Sequence, residues 1–182
     1  MGFSIRLAPL AVVLGMAARL AAQHPEPSAA HVAEMKKLDF LAGEWKGAGW
    51  MQMPGGRSEF SQTEVVQKKL HGVALVIEGR GTSKESGRVV HDALAMVTWD
   101  EPSKEYRFQS WLFNRPAGGD FRGRVLGENT FQWSMQPPGM TIRYTIRLNE
   151  KKQWHEVGEM SRDGQSWQKI FEMTLDKVKQ AP

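Results

Sequence analysis

The chain has 182 residues, with 24 Lys and Arg against 20 Asp and Glu, a formal charge of +4, seven Trp, eight Phe, ten Met and no Cys. That length holds one ordinary domain. Without cysteine there is no disulfide, thiolate metal site, cysteine nucleophile or lipidated cysteine, and the interspersed charges argue against a nucleic-acid-binding face, so no nucleic-acid partner is expected.

Residues 1–22 read as a signal peptide: Arg6 precedes an apolar run from Leu7 to Ala18, and small residues end the segment at Ala21 and Ala22. The run is shorter than the roughly 20 apolar residues that a membrane-spanning helix needs. The expectation is therefore an exported protein, periplasmic or secreted, with no stable membrane insertion after cleavage. Residues 23–30, with Pro25 and Pro27, read as an extended lead-in. Next, Val32, Met35, Leu38 and Leu41 recur at helical spacing behind Ser28 as N-cap, which predicts one short helix over residues 31–41, ended by Gly43.

From Lys46 onward the period changes to two. Met140, Ile142, Tyr144, Ile146 and Leu148 alternate with Thr141, Arg143, Thr145 and Arg147, the pattern of a half-buried strand. Tyr106, Phe108 and Leu112 share one face of another, and Phe131, Trp133 and Met135 repeat it after a turn at Gly127-Glu128-Asn129. Turn residues at Pro54-Gly55-Gly56, His71-Gly72, Ser83 to Gly87, Asp100 to Ser103, Pro116 to Gly119, Pro137 to Gly139, Asn149 to Lys152 and Arg162 to Gly164 separate about ten strands. They fall near residues 46–53, 58–69, 73–80, 89–99, 104–113, 119–126, 129–136, 140–149, 152–161 and 166–175.

Short connections without crossover helices exclude a parallel sheet. The predicted fold is all-β: a closed antiparallel up-and-down β-barrel of about ten strands, lipocalin-like, with one short N-terminal helix. Closure removes the exposed edges that an open meander would leave, and a β-sandwich is the alternative. The barrel domain is expected over residues 31–176, with a tail at 177–182. The phase of the final strands is ambiguous. Trp167, Phe171 and Met173 indicate one inward face, but Lys169 shares it and Ile170 lies on the other.

The segment Leu38-Asp39-Phe40-Leu41-Ala42-Gly43-Glu44-Trp45-Lys46-Gly47-Ala48-Gly49-Trp50 joins helix to first strand. Trp45 can plug one barrel end, while Gly47 and Gly49 either permit close packing or leave room for a ligand. This segment resembles the openings of calycin-type barrels, which include lipocalins, fatty-acid-binding proteins and nitrobindin. It is more similar to the bacterial domain of unknown function 1579 family. Val97-Thr98-Trp99-Asp100, Trp154 to Glu159, Asp163-Gly164, Trp167 and Glu172 to Leu175 extend the resemblance over residues 38–175. It implies the fold and no established activity.

Nitrobindin-like barrels hold haem through a late-strand histidine. Here the last strand has no histidine, and His155 stands between Trp154 and Glu156 without that family's proximal pattern. No haem or other cofactor is expected. His155 and Glu159 share a strand face about 13 Å apart, at roughly 3.3 Å per residue, too far to grip one ion unaided. No serine has a Gly-x-Ser-x-Gly setting, so no catalytic residue is assigned. The leading expectation is non-covalent binding of a small apolar or amphipathic molecule inside the barrel. Gly47, Gly49, Tyr106, Phe108, Trp133, Ile142, Tyr144 and Glu156 are the candidate ligand contacts. Glu156 would orient a polar head, unless a salt bridge to Arg107 or Arg143 accounts for it. The alternatives are a filled, structural or protein-binding barrel, and, further back, an enzyme using His155, Glu156 or Glu159. The oligomeric state is left open.

Overall fold

The computed structural model describes residues 26–179; the expected signal peptide, the first three residues of the lead-in (23–25) and the last three residues lie outside the described residues. Ten antiparallel strands, each paired with its sequence neighbours, form a closed barrel in which β1 (Gly43–Met53) also pairs with β10 (Gln168–Lys179). Between them run β2 (Gly56–Lys69), β3 (Ala74–Ser83), β4 (Val89–Asp100), β5 (Glu105–Leu112), β6 (Arg115–Gly127), β7 (Thr130–Met135), β8 (Thr141–Leu148) and β9 (Trp154–Ser161). β10 runs on to Lys179, past the expected start of the tail, because Lys177 and Lys179 still pair with Trp45 and Glu44.

The N-terminal helix is shorter than its periodicity predicts. α1 (Ala29–Lys36) is capped by the Ser28 hydroxyl, which accepts the His31 N–H at 3.0 Å. Leu38 then leaves helical geometry (φ −97°, ψ 3°), and a single 3₁₀ turn (Asp39–Leu41) follows. Gly43 therefore does not end the helix. It opens β1 with φ +133°, a conformation that disfavours any side chain. The break lets Leu38 and Leu41 bury completely beside Met35, whereas Val32, on the same predicted stripe, stays 43% exposed.

This helical segment closes one end of the barrel. The Trp45 indole N–H donates to the Leu41 carbonyl at 2.8 Å, and its ring meets Trp154 edge-on at 5.8 Å. The Tyr106 hydroxyl donates to the Glu34 carbonyl at 3.0 Å and also bonds the Glu34 carboxylate. A His31 ring nitrogen meets the Val73 carbonyl at 3.0 Å, and Lys68 pairs with Asp39 at 2.8 Å. Val66, Leu75, Val97, Phe131 and Leu175 complete a solid apolar layer beneath.

Two irregularities correct the sequence reading. The β5–β6 reversal falls at Phe113-Asn114, before the predicted turn at Pro116 to Gly119. Gly118 and Gly119 are strand positions covered by rings: an added Cβ would lie 2.3 Å from the Trp111 indole nitrogen and 2.1 Å from the Phe121 ring. In β10, the pairing with β9 shifts between Lys169 and Phe171. That β-bulge reverses the inward phase. Trp167 therefore lies outside under the Arg143 guanidinium (3.7 Å), while Ile170 and Phe171 both reach the interior.

The β1–β10 seam is tight. A Cβ on Gly47 would stand 2.1 Å from the Thr174 carbonyl oxygen, and one on Gly49 2.5 Å from that of Glu172, both immovable backbone. Gly47→Val should therefore destabilise the barrel by about 1–3 kcal/mol, at about 2–4 °C of Tm per kcal/mol for a chain of this size. Thermal unfolding followed by circular dichroism checks it, and an unchanged Tm would show that β10 yields freely.

Candidate functional site

Beyond the plug the barrel is hollow. A cavity of about 460 Å³ extends from the Trp154 level toward the opposite end, within the usual range for small-molecule sites. Its outer lining comes from residues next to the β1–β2, β5–β6 and β9–β10 hairpins, among them Met51, Gln52, Arg115 and Ile170. All odd-to-even hairpins lie at this end and α1 lies at the other, so the open mouth is the end away from the helix.

The walls are aromatic. Phe108 stacks on Trp133 at 4.4 Å and Trp133 on Tyr144 at 4.5 Å; Tyr144 meets Phe171 edge-on at 5.7 Å, and Phe171 stacks on Phe60 at 5.7 Å. These five rings come from β5, β7, β8, β10 and β2, so a belt runs most of the way round the interior.

The floor is polar, and it is built by β2 and β3 together. Alternation turns Phe60, Gln62, Glu64 and Val66 inward, and Gln62 and Glu64 stand opposite Gly81 and Gly79. Neither glycine puts a side chain in the way of these polar ends. A Cβ at Gly79 would lie 2.7 Å from the Glu64 carboxyl, and one at Gly81 2.5 Å from the Gln62 amide oxygen. The Gln62 amide donates to Glu64 Oε1 at 2.7 Å. Across the floor, the Trp154 indole N–H donates to Glu156 Oε2 at 3.1 Å. Glu64 is 6% exposed and Glu156 7%, and among the described residues neither has a cationic partner.

Burial penalises the ionised form of both acids. The Glu64 carboxyl is pushed up to about 8, first by burial and then by the Glu156 charge, against the pull of the Gln62 bond. Burial pushes Glu156 up to about 7 against the Trp154 bond. The Tyr144 phenol is pushed up to about 12 by burial and the Glu156 charge. Burial lowers His91, also on the cavity wall, so its imidazole favours the neutral form.

Of the sequence candidates, Phe108, Trp133, Tyr144 and Glu156 line this cavity. Tyr106 is buried in the plug and tied to Glu34, and Ile142, beside Met135, does not line the cavity. Gly47 and Gly49 face inward, but the close approach of β10 takes up the space they leave. No salt bridge accounts for Glu156: Arg107 pairs with Asp120, and Arg143 with Glu159 at 2.8 Å, both on the outer face. His155 is also outside, between Arg147 and Glu172.

Gln62, Glu64 and His91 were missed by sequence reasoning. The signal was present as two polar residues between Phe60 and Val66 on an inward phase, with glycines two apart on the next strand. Among the described residues, no group of three or more His, Asp or Glu is placed to hold a metal ion.

The two carboxyls make stability depend on pH. Their folded-state pKa values lie above the ordinary 4.5, so the folded protein holds more protons than the unfolded chain between about pH 4.5 and 8. Stability is then full below that window and falls as pH rises through it. At about 1.4 kcal/mol per tenfold change in proton affinity, the loss amounts to several kcal/mol. His91 acts in the opposite sense, costing stability as pH falls below its ordinary 6.5. Glu64→Gln should raise Tm by several degrees at pH 8.5 and flatten the decline above pH 6. A parallel decline in wild type and variant would contradict this.

No family model and no curated protein matches the chain. Among solved structures, it is similar to Rv2717c from M. tuberculosis, with 13% identity and a TM-score of 0.56, over 79% of this chain and 96% of that one. It is also similar to the S-type phycobiliprotein lyase CPES from Guillardia theta, with 8% identity and a TM-score of 0.53, over 86% of this chain and 99% of that one. At these identities the likeness is one of fold: both neighbours share the lipocalin-like barrel.

Proposed function

We propose that this protein binds a small, largely apolar molecule non-covalently inside the barrel. The observation that carries the reading is the cavity itself, about 460 Å³, stoppered at one end, open at the other and walled by rings and aliphatic groups. Hollow space costs a protein the packing contacts it would otherwise make, so an unfilled interior is expensive unless something occupies it. A few polar groups at one end of an apolar cleft are what fixes a ligand's orientation. The fold shared with a phycobiliprotein lyase supports the reading at the level of architecture. Membership of the domain of unknown function 1579 family and export by an N-terminal signal belong to the same proposal, in which the ligand is met outside the cytoplasm.

The test uses N-phenyl-1-naphthylamine, a neutral dye that brightens in apolar surroundings. The wild-type protein should enhance its emission saturably, and Ala93→Trp, which puts an indole into the cavity from β4, should abolish the enhancement while far-ultraviolet circular dichroism stays unchanged. No enhancement by wild type, or equal enhancement by the folded variant, would sink the proposal.

A further inference from the structure

We infer that the ligand carries a basic nitrogen, and that Glu64 and Glu156 seat its cation at the cavity floor with the apolar body toward the mouth. This rests on the binding reading above and names the chemical class it leaves open.

Each carboxyl receives one hydrogen bond from the protein, Gln62 to Glu64 Oε1 and Trp154 to Glu156 Oε2, and both partners are donors. Donors favour the ionised form. Among the described residues, the protein offers neither an acceptor for an acid proton on Glu64 Oε2 or Glu156 Oε1 nor a cation for the charges. These free oxygens are not sealed in, since no fully buried side-chain polar atom among the described residues lacks a partner. The space beside them is the cavity. The Tyr144 hydroxyl likewise makes no hydrogen bond among the described residues. The floor thus presents two open carboxyl oxygens, beside a phenol that can accept or donate, to a group that should bring donors and positive charge. An alkylammonium has three N–H donors and no acceptor, and the rings of Trp154 and Tyr144 line the same space, adding faces that attract cations.

Other polar head groups fit less well. A carboxylate would add a third acid and oppose whatever charge the two already carry, and an alcohol brings no positive charge to pair with it. The titratable groups facing the cavity are Glu64 from β2, His91 from β4, Arg115 from β6, Tyr144 from β8 and Glu156 from β9; the other five strands contribute none. Arg115 stands exposed at the mouth, where its charge acts on the Tyr144 phenol but on neither acid. Because burial holds protons on the acids near neutrality, seating an ammonium requires their release, and amine affinity should fall as pH drops from 8 to 6.

The experiment displaces bound N-phenyl-1-naphthylamine with three probes of equal tail length: decylamine, decan-1-ol and decanoate. At pH 7.5 decylamine should displace the dye at a concentration at least about tenfold below decanol, with decanoate weakest, consistent with charge-assisted bonds. The amine preference should shrink at pH 6 and vanish in Glu64→Gln/Glu156→Gln, which still binds dye and decanol. Equal displacement by amine and alcohol, a preference for decanoate, or an amine preference that survives in the double variant would overturn the inference and leave the binding reading intact. A dye that never binds defeats that reading itself, and with it this one.

Discussion

Everything in this fold follows from the seam between its first and last strands. A ten-stranded meander has two long edges unless they meet, and here they meet along most of β1 because Gly47 and Gly49 bring no Cβ to a place where the β10 backbone already stands. Closing the ring fixes the tilt of each strand and sends alternate residues inward. It also makes the interior a compartment of set diameter, which side chains either fill or leave open.

The protein does both, at opposite ends. The helical segment, Trp45, Trp154 and Tyr106 make a plug in which the polar atoms of the large aromatics find backbone or carboxyl partners, so no buried side-chain polar atom among the described residues is orphaned there. Toward the mouth, five stacked or edge-paired rings coat the wall without meeting across the middle. The result is a blind pocket with a rigid floor, since every floor group is mounted on a strand rather than a loop.

The costliest feature of that floor is the pair of buried acids. A buried ion loses several kcal/mol of solvation unless it is paired, yet Glu64 and Glu156 are set close enough for one charge to raise the proton affinity of the other, with no basic residue between them. A carboxyl group retained without a partner beside open space is more readily understood as half of an interaction than as a device for stability. Gly79 and Gly81 leave the room in which the Glu64 and Gln62 side chains lie.

The sequence by itself determined the architecture. Period-two alternation, turn residues at regular intervals and one amphipathic helical stretch are local signals, and local sterics decide each strand and reversal, so the ten-stranded closed barrel was legible. The exceptions are instructive. Gly118 and Gly119 look like a turn until Trp111 and Phe121 cover them, and the last strand's mixed pattern makes sense only with the bulge at Ile170. The site was half legible. Phe108, Trp133 and Tyr144 stood on clean inward phases and Glu156 on a strand whose phase was ambiguous, whereas Glu64 came to light only when β2 paired with β3. Tyr106 and Phe108 share one face of one strand, yet one belongs to the plug and the other to the cavity. Depth along a barrel depends on strand tilt and register, which arise from pairing between residues distant in sequence. So the tertiary structure alone decided which end is open, which inward residues border empty space, and that two acids from strands far apart in the chain share one floor.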